Sequence, residues 1–312
     1  MSIQVIKPGM YSTFQDLGRT GYQRYGVPVN GAMDERAHRI ANLLVGNAPR
    51  MATLELTLMG PTLVFDAAAT IAISGADLSP ALDREAVPMN RAVDVPAGAT
   101  LSFGRRQTGL RAYLAVHGGY DLPLVMDSAS TNARARFGGL GGMPLRKNDV
   151  VGLATPGVLA PHGAAPAFPD DVVPACDAPV RVMQGREWSQ FSKAAQRGLL
   201  ENGYAITPQS DRMGYRLSGP ALRLAAPREM LSETVAFGTI QVPSDGNPII
   251  LMADRGTSGG YPRIANVITV DLPRLAQMMP GEILRFQCVS LDQAHALAIR
   301  QARLLRDALR AA

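Results

Sequence analysis

LTLMGPTLVF fills residues 56–65, and YRLSGPALRL fills residues 215–224. Each is an apolar run, a Gly-Pro turn and a second apolar run. Alternation with a period of two marks a half-buried strand, and Gly-Pro breaks any helix. A second pair follows in the same order, PAGATLSF at 96–103 and PGEILRF at 280–286. The same succession twice in one chain is the mark of an internal repeat. Two similar β domains with helical insertions are expected, with a cleft between them suited to a small molecule.

Outward from these segments, short β runs punctuated by Gly and Pro fill most of the sequence. They fall at residues 2–6, 53–58, 62–65, 70–74, 91–95, 100–103 and 109–116, and then at 180–183, 204–207, 215–217, 239–242, 249–253, 264–270 and 282–287. Such spacing suits all-β sandwiches or barrels. Four helices are predicted. Residues 34–45 have Asp34 as N-cap and Gly46 past the end. Residues 189–202 are closed by Gly203, and residues 271–279 are capped by Asp271 with Pro273 in the first turn. Residues 291–311 open with Ser290 and Gln293 in capping-box spacing. The stretch 154–179 is rich in Pro, Ala and Gly without periodicity and reads as a linker. It separates an N-terminal β domain, 1–153, from a C-terminal β domain with a final helix, 180–312.

Composition narrows the class. The chain has 312 residues, 46% hydrophobic and 18% charged, with a net charge of +5. That length can bury a large core without staples. The two cysteines, Cys176 and Cys288, are far apart, which fits a reducing compartment. The N-terminus lacks a charged start followed by an apolar stretch, and no apolar run nears the roughly 18 residues of a membrane helix. A soluble, cytoplasmic protein is expected, with no membrane partner. Scattered arginines, aromatics at 5% and the lysines Lys7, Lys147 and Lys193 make no basic stripe, so no nucleic-acid partner is expected. There is no P-loop and no nucleophile elbow. GGLGG at 138–142 reads as a tight loop. His38, His117, His162 and His295 are not spaced for a metal, and no metal is expected.

Four polar clusters between strands are the candidate sites. GVPVNGAMDERA (26–37) combines an Asn30-Gly31 turn with Asp34 at a helix start, where free N–H groups suit an anion or carbonyl oxygen; simple capping is the plain alternative. Ser210, Asp211 and Arg212 put a hydroxyl, a carboxylate and a guanidinium side by side, against the alternative of a surface turn with a local ion pair. LSETVAFGTIQV (231–242) carries Glu233 and Gln241. ADRGTSGGYPRIANVI (253–268) carries Asp254, Thr257, Ser258, Gly259, Gly260, Tyr261 and Arg263. Its glycine pair permits close backbone approach or positive φ. So many functional groups in so few residues point to a functional loop.

These clusters, in this order, resemble the biotin-dependent carboxyltransferase-like family that includes KipA, allophanate hydrolase subunit 2 and the 5-oxoprolinase C-type subunit. The likeness also runs through QDLGRTGYQRYGVPVNGAMD (15–34), RAYLAVHGGYDLP (111–123) and STNARARFGGLGGMPLRKND (130–149). It implies a mainly β fold of two related cyclophilin-like β-barrel domains with a few helices. It implies one component of an ATP-dependent 5-oxoprolinase, opening 5-oxoproline to glutamate with a KipI-like, B-type subunit together with a third, A-type subunit. ATP is consumed by that complex, and the substrate is a small amide. Two alternatives stay open. One is a carboxyltransferase component for urea or a similar amide, with biotin supplied by another chain. The other is a KipA-type antagonist of a histidine-kinase inhibitor, which needs no catalysis.

The resemblance carries the motif positions Asn30, Asp34, Ser210, Asp211, Arg212, Glu233, Gln241, Asp254, Thr257, Gly259, Gly260, Tyr261 and Arg263. Of these, Asp211, Arg212, Glu233, Tyr261 and Arg263 are the catalytic candidates; the others, with Ser258, are substrate-binding candidates. The chain has Gly256 and Ser258 where relatives commonly have Gln and Thr, and Arg263 where they often have Lys. An arginine stays protonated and binds in a fork, which favours clamping an anion over proton transfer. On this reading, backbone N–H groups at Gly259-Gly260 and a guanidinium from Arg212 or Arg263 steady an oxyanion. Asp211 or Glu233 positions or deprotonates the amide nitrogen.

Overall fold

The structure is a computed structural model that describes residues 1–155, 159–160, 173 and 177–311. Most of the expected linker, with Cys176 and His162, lies outside the described residues. Two compact units emerge: Met1–Arg19, Asn30–Ala167 and Leu304–Ala312 form the first, and Thr20–Val29 with Phe168–Arg303 form the second. The fold is mainly β with few helices, as expected.

The first unit has two antiparallel sheets. One runs Tyr120–Asp121, Val150–Leu153, Ser2–Lys7, Thr62–Phe65, Thr100–Phe103, Pro80–Leu82, Glu85–Ala86; the other runs Tyr11–Gln15, Thr53–Thr57, Thr108–Val116, Ala69–Asp77, Ala92–Val95. Alternate residues of both sheets, among them Ile3, Val5, Phe65, Leu54, Leu56, Ile71 and Leu114, make one buried cluster. Strand Thr108–Val116 is buried almost throughout. Ala112, Leu114 and Val116 enter that cluster. Helix Glu35–Leu44 packs on this strand, and His38 stands edge-on to Tyr113 with ring centroids 6.3 Å apart. Asp34 caps the helix as predicted, accepting from the Ala37 N–H at 2.8 Å. His38 is fully buried between Thr53 Oγ1 at 2.8 Å and the Pro49 carbonyl at 3.0 Å. Burial drives its pKa down to about 4.

Strand Tyr11–Gln15 was not expected, because its sequence, YSTFQ, is largely polar. Its polar groups find partners with one exception: Ser12 donates to the Pro8 carbonyl and Gln15 to Thr13 Oγ1, while the buried Gln15 Oε1 accepts no hydrogen bond.

The second unit is dominated by one sheet ordered Ile283–Leu284, Tyr204–Ile206, Gly214–Ser218, Ile249–Leu251, Thr239–Gln241, Arg263–Val267, Val180–Gln184, Phe286–Cys288. Its two edge strands are separated in sequence by Arg285 alone, so the sheet must curl until its edges nearly meet. That break also splits the single strand expected at 282–287. A separate ribbon pairs Glu233–Thr234 with Ser258–Gly259.

Two helices differ from expectation. The segment 189–202 begins as a 3-10 turn, Trp188–Gln190, and becomes helical only at Lys193–Glu201, because Phe191 is extended and Ser192 then caps. The helix expected at 271–279 shrinks to Leu272–Ala276, and Asp271 does not cap it through its side chain. The Asp271 carboxylate instead accepts from the Arg181 backbone at 2.7 Å and from its guanidinium at 2.5–3.2 Å. A buried acid opposite an arginine gains more from that fork than from one amide. Helix Leu291–Ala311 forms as expected, with the Ser290–Gln293 capping box closed in both directions.

The sequence echoes make matching contacts. A Cβ on Gly60 would stand 2.3 Å from the Phe103 ring, and one on Gly219 would stand 2.6 Å from the Tyr204 ring. Gly98 and Gly281, both at positive φ, donate to the carbonyls of Phe65 and Ile206. Gly60→Ala is therefore expected to destabilise the first unit by about 1–3 kcal/mol through overpacking, measured by denaturant unfolding. A change below a few tenths of a kcal/mol would mean that Phe103 swings away freely.

Candidate functional site

The second unit gathers most of the predicted positions around the entry to strand Arg263–Val267. Strand Val180–Gln184 ends in the turn GREW, residues 185–188. Gly185 is required there, since a Cβ would stand 2.3 Å from the Arg263 carbonyl oxygen. The turn delivers Glu187 to Arg263. Its carboxylate accepts from the Arg263 backbone N–H at 3.0 Å, from Nε at 2.8 Å and from Nη2 at 2.7 Å. Both side chains are nearly buried, at 4% and 12% exposure. Hydrogen bonds from Arg263 hold the Glu187 carboxyl below its usual range, and the pair pushes Arg263 still higher than an ordinary guanidinium.

Arg263 reaches in a second direction. Nη2 donates to Glu233 Oε2 at 2.7 Å, and Nη1 donates to the Thr234 carbonyl at 3.4 Å. Arg186 Nη1 donates to the same Glu233 oxygen at 2.5 Å. Arg263 thus ties the Glu233–Thr234 ribbon to the main sheet. Two arginines and two glutamates make a cluster with no formal net charge. The expected clamp for a substrate anion at Arg263 is filled by protein carboxylates. Glu233 keeps 38% of its side chain exposed. An oriented, solvent-facing carboxylate can accept a hydrogen bond or a proton from an amide nitrogen.

The ribbon sets Gly259 opposite Glu233. Neither Gly259 nor Gly260 has positive φ, which corrects one reason offered for the pair. Both sit in tight places: a Cβ on Gly259 would stand 2.6 Å from Gln241 Nε2, so the end of that side chain would have to shift, and one on Gly260 would stand 3.3 Å from Ser232 Oγ. Gln241 is buried and donates to the Tyr261 carbonyl at 3.3 Å, while Val242 N–H donates to the Pro262 carbonyl at 3.0 Å. The Tyr261 backbone is therefore pinned while its ring stays 51% exposed. Ser258 pairs with Thr234, and the Thr257 carbonyl accepts from Val235.

The Ser210–Asp211–Arg212 triplet does not converge on one point. Ser210 Oγ bonds both backbone groups of Arg216. The Asp211 carboxylate accepts from the Met213 and Gly214 amides, an Asx turn. Arg212 instead forks onto Asp254, with Nε at 2.9 Å and Nη2 at 3.1 Å, and its carbonyl accepts from the Asp254 amide. This nearly buried pair braces the start of the loop.

Asn30 and Asp34 lie in the first unit. Asn30 takes φ +58° and accepts from Arg19 Nη1 at 2.6 Å and Asn132 Nδ2 at 3.2 Å. The Asp34 amide donates to Tyr113 Oη at 2.7 Å, and that hydroxyl donates to Glu55 at 2.8 Å. Burial and the neighbouring Glu55 charge raise the Tyr113 pKa.

Sequence reasoning missed Arg186, Glu187, Arg19 and Glu55. A glycine followed by two charges just after a strand was the only signal for Glu187. Among the described residues, no group of three or more His, Cys, Asp or Glu is placed to hold a metal ion. No described helix is long and apolar enough to cross a membrane.

Comparison with known proteins sets this geometry in a family. Residues 25–288 match the family model described as carboxyltransferase domain, subdomain A and B. The chain is 40% identical to the C-type subunit of 5-oxoprolinase from Haemophilus influenzae, over 94% of this chain and 93% of that protein. It is 38% identical to the C-type subunit of 5-oxoprolinase from Escherichia coli, with the same coverage. The crystal structure of Kluyveromyces lactis urea amidolyase superposes with a TM-score of 0.90 at 30% identity, over 98% of this chain but 20% of that one. The chain thus spans nearly the whole of the first two relatives and about a fifth of the third. By its sequence and its fold, it belongs to the carboxyltransferase domain, subdomain A and B, family.

Proposed function

We propose that this chain is the C-type subunit of an ATP-dependent 5-oxoprolinase. It works with a KipI-like, B-type subunit together with a third, A-type subunit to open 5-oxoproline to glutamate. The observation that carries the reading is the 40% identity to the C-type subunit of a 5-oxoprolinase along 93% of that protein's length. ATP is consumed by the assembled complex. In the site, Glu233 receives the amide N–H of the substrate, and the Tyr261 hydroxyl contacts the same small ligand. Thr257 to Gly260 and Gln241 shape the wall, and Arg263, held by Glu187, orients Glu233. Arg212–Asp254 braces the loop. Ser210 and Asp211 set its neighbouring turn, and Asn30 and Asp34 shape the first unit.

Likeness to urea amidolyase favours a second reading, carboxyl transfer to urea or a related amide from biotin on another chain. ATP-dependent glutamate release from 5-oxoproline separates the two. The expected result is turnover only when this chain is mixed with both partner subunits, and none with any component omitted. No turnover in a stable complex, together with activity on urea plus a biotinylated carrier, would replace the first reading with the second.

A further inference from the structure

Beside Tyr261 the second unit has a cavity of about 480 Å³, within the size range of small-molecule sites. Phe191, Leu222 and Val242, each no more than 3% exposed, contribute apolar lining. Tyr261 contributes a half-exposed ring, and Arg223 and Arg228 are exposed side chains of the same wall. Among the described residues, no Asp or Glu lines it. Arg223 Nη1 donates to the Ser244 carbonyl, which anchors its guanidinium. Two acids adjoin the lining in sequence: Glu229, between Arg228 and Met230, and Asp245, which accepts hydrogen bonds from the amide and side chain of Asn247. Two guanidinium groups on an apolar pocket with no acid in its lining select a ligand with one anionic group and a compact apolar body, Arg228 more than Arg223, because the Asp245 charge reaches Arg223. The neutral Arg263 cluster next to it offers no such excess charge.

We propose that this groove binds the carboxylate-bearing end of a small amide, with Arg228 and Arg223 pairing with the carboxylate and the apolar floor taking the ring or chain. The inference rests on the amide-hydrolase reading for the occupant's identity; selection for a carboxylate follows from the groove itself. It moves the anion-reading role from Arg263 to two arginines outside the motif.

The test is ligand-observed NMR titration of the full chain with 5-oxoproline and with 2-pyrrolidinone, the same lactam without the carboxylate. It is repeated on Arg228→Gln and Arg223→Gln, both surface changes, and paired with KM in the assembled complex. The expected result is at least five-fold weaker 5-oxoproline binding in Arg228→Gln, a smaller loss in Arg223→Gln, and weak 2-pyrrolidinone binding that neither variant alters. Equal binding of the two lactams, or unchanged binding of 5-oxoproline in both variants, would overturn the proposal. Turnover of 5-oxoproline with KM unchanged in both variants would overturn it while leaving the 5-oxoprolinase reading intact. Arginine-dependent binding without turnover would support the groove and count against that reading.

Discussion

Replacing Glu187 with alanine is expected to lower the stability of the second unit by about 3 kcal/mol and to abolish most activity of the assembled complex. Removing one partner of a buried ion pair leaves an uncompensated charge, which typically costs about 3–5 kcal/mol. The lower figure applies because Arg263 keeps Glu233 at 2.7 Å. Stability and function separate in the double variant Glu187→Leu with Arg263→Met. Well-packed apolar residues of similar volume often replace a buried pair without net loss. Denaturant unfolding should bring the double variant back to within about 1 kcal/mol of the parent. Activity should stay low, because the exposed Arg186 alone then ties Glu233 to the main sheet and the Arg263 bond to the Thr234 carbonyl is gone. Recovered activity in the double variant would show that Arg263 serves packing alone. The pair also has a pH signature. The folded-state pKa of Glu187 is depressed, so its stabilisation is present above the unfolded value of 4.5 and is lost as pH falls through the lower folded value.

His38 is expected to produce the other large effect, in a higher pH window. Its folded pKa is about 4 against an ordinary 6.5, so the unfolded chain binds a proton there that the folded chain refuses. Stability therefore falls as pH drops from 6.5 toward 4, by about 3 kcal/mol in total at 1.36 kcal/mol per pH unit. In His38→Gln the amide can still donate to the Pro49 carbonyl but does not titrate. Unfolding free energies measured between pH 7 and pH 5 should be flatter for the variant than for the parent. Superimposable profiles would mean that the buried imidazole accepts its proton without loss. Most of the Glu187 effect lies below this range, so the two contributions can be read separately.

The strands that alternate cleanly were legible because one face is buried and the other is not. Thr62–Phe65 and Thr100–Phe103 needed nothing beyond their pattern and their Gly-Pro and Pro-Gly turns. Strand Tyr11–Gln15 was hidden because its polar side chains are buried against partners remote in sequence, such as the Thr131 carbonyl that accepts from Gln15. Asp271 looked like a cap because Asp before Leu-Pro usually is one; its true partner, Arg181, is 90 residues away. The site divides in the same way. Tyr261, Arg263 and Glu233 stood out as dense polar chemistry in loops. Glu187 did not, since its pairing with Arg263 across 76 residues depends on which strands the sheet makes neighbours. Arg212 beside Asp211 suggested a local pair, yet backbone geometry turns Asp211 to its own loop and sends Arg212 to Asp254.

The most direct measurement is the rate of ATP-dependent glutamate formation from 5-oxoproline by the complex reassembled with Glu233→Gln. The substitution keeps the size of the side chain and an acceptor oxygen at a half-exposed position, so folding and assembly should be preserved. The predicted result is a fall in kcat of about 100-fold or more, the usual contribution of a positioned general base, with unfolding and complex assembly unchanged. A rate within twofold of the parent complex would contradict the placement of the reaction at the Glu233–Tyr261 loop.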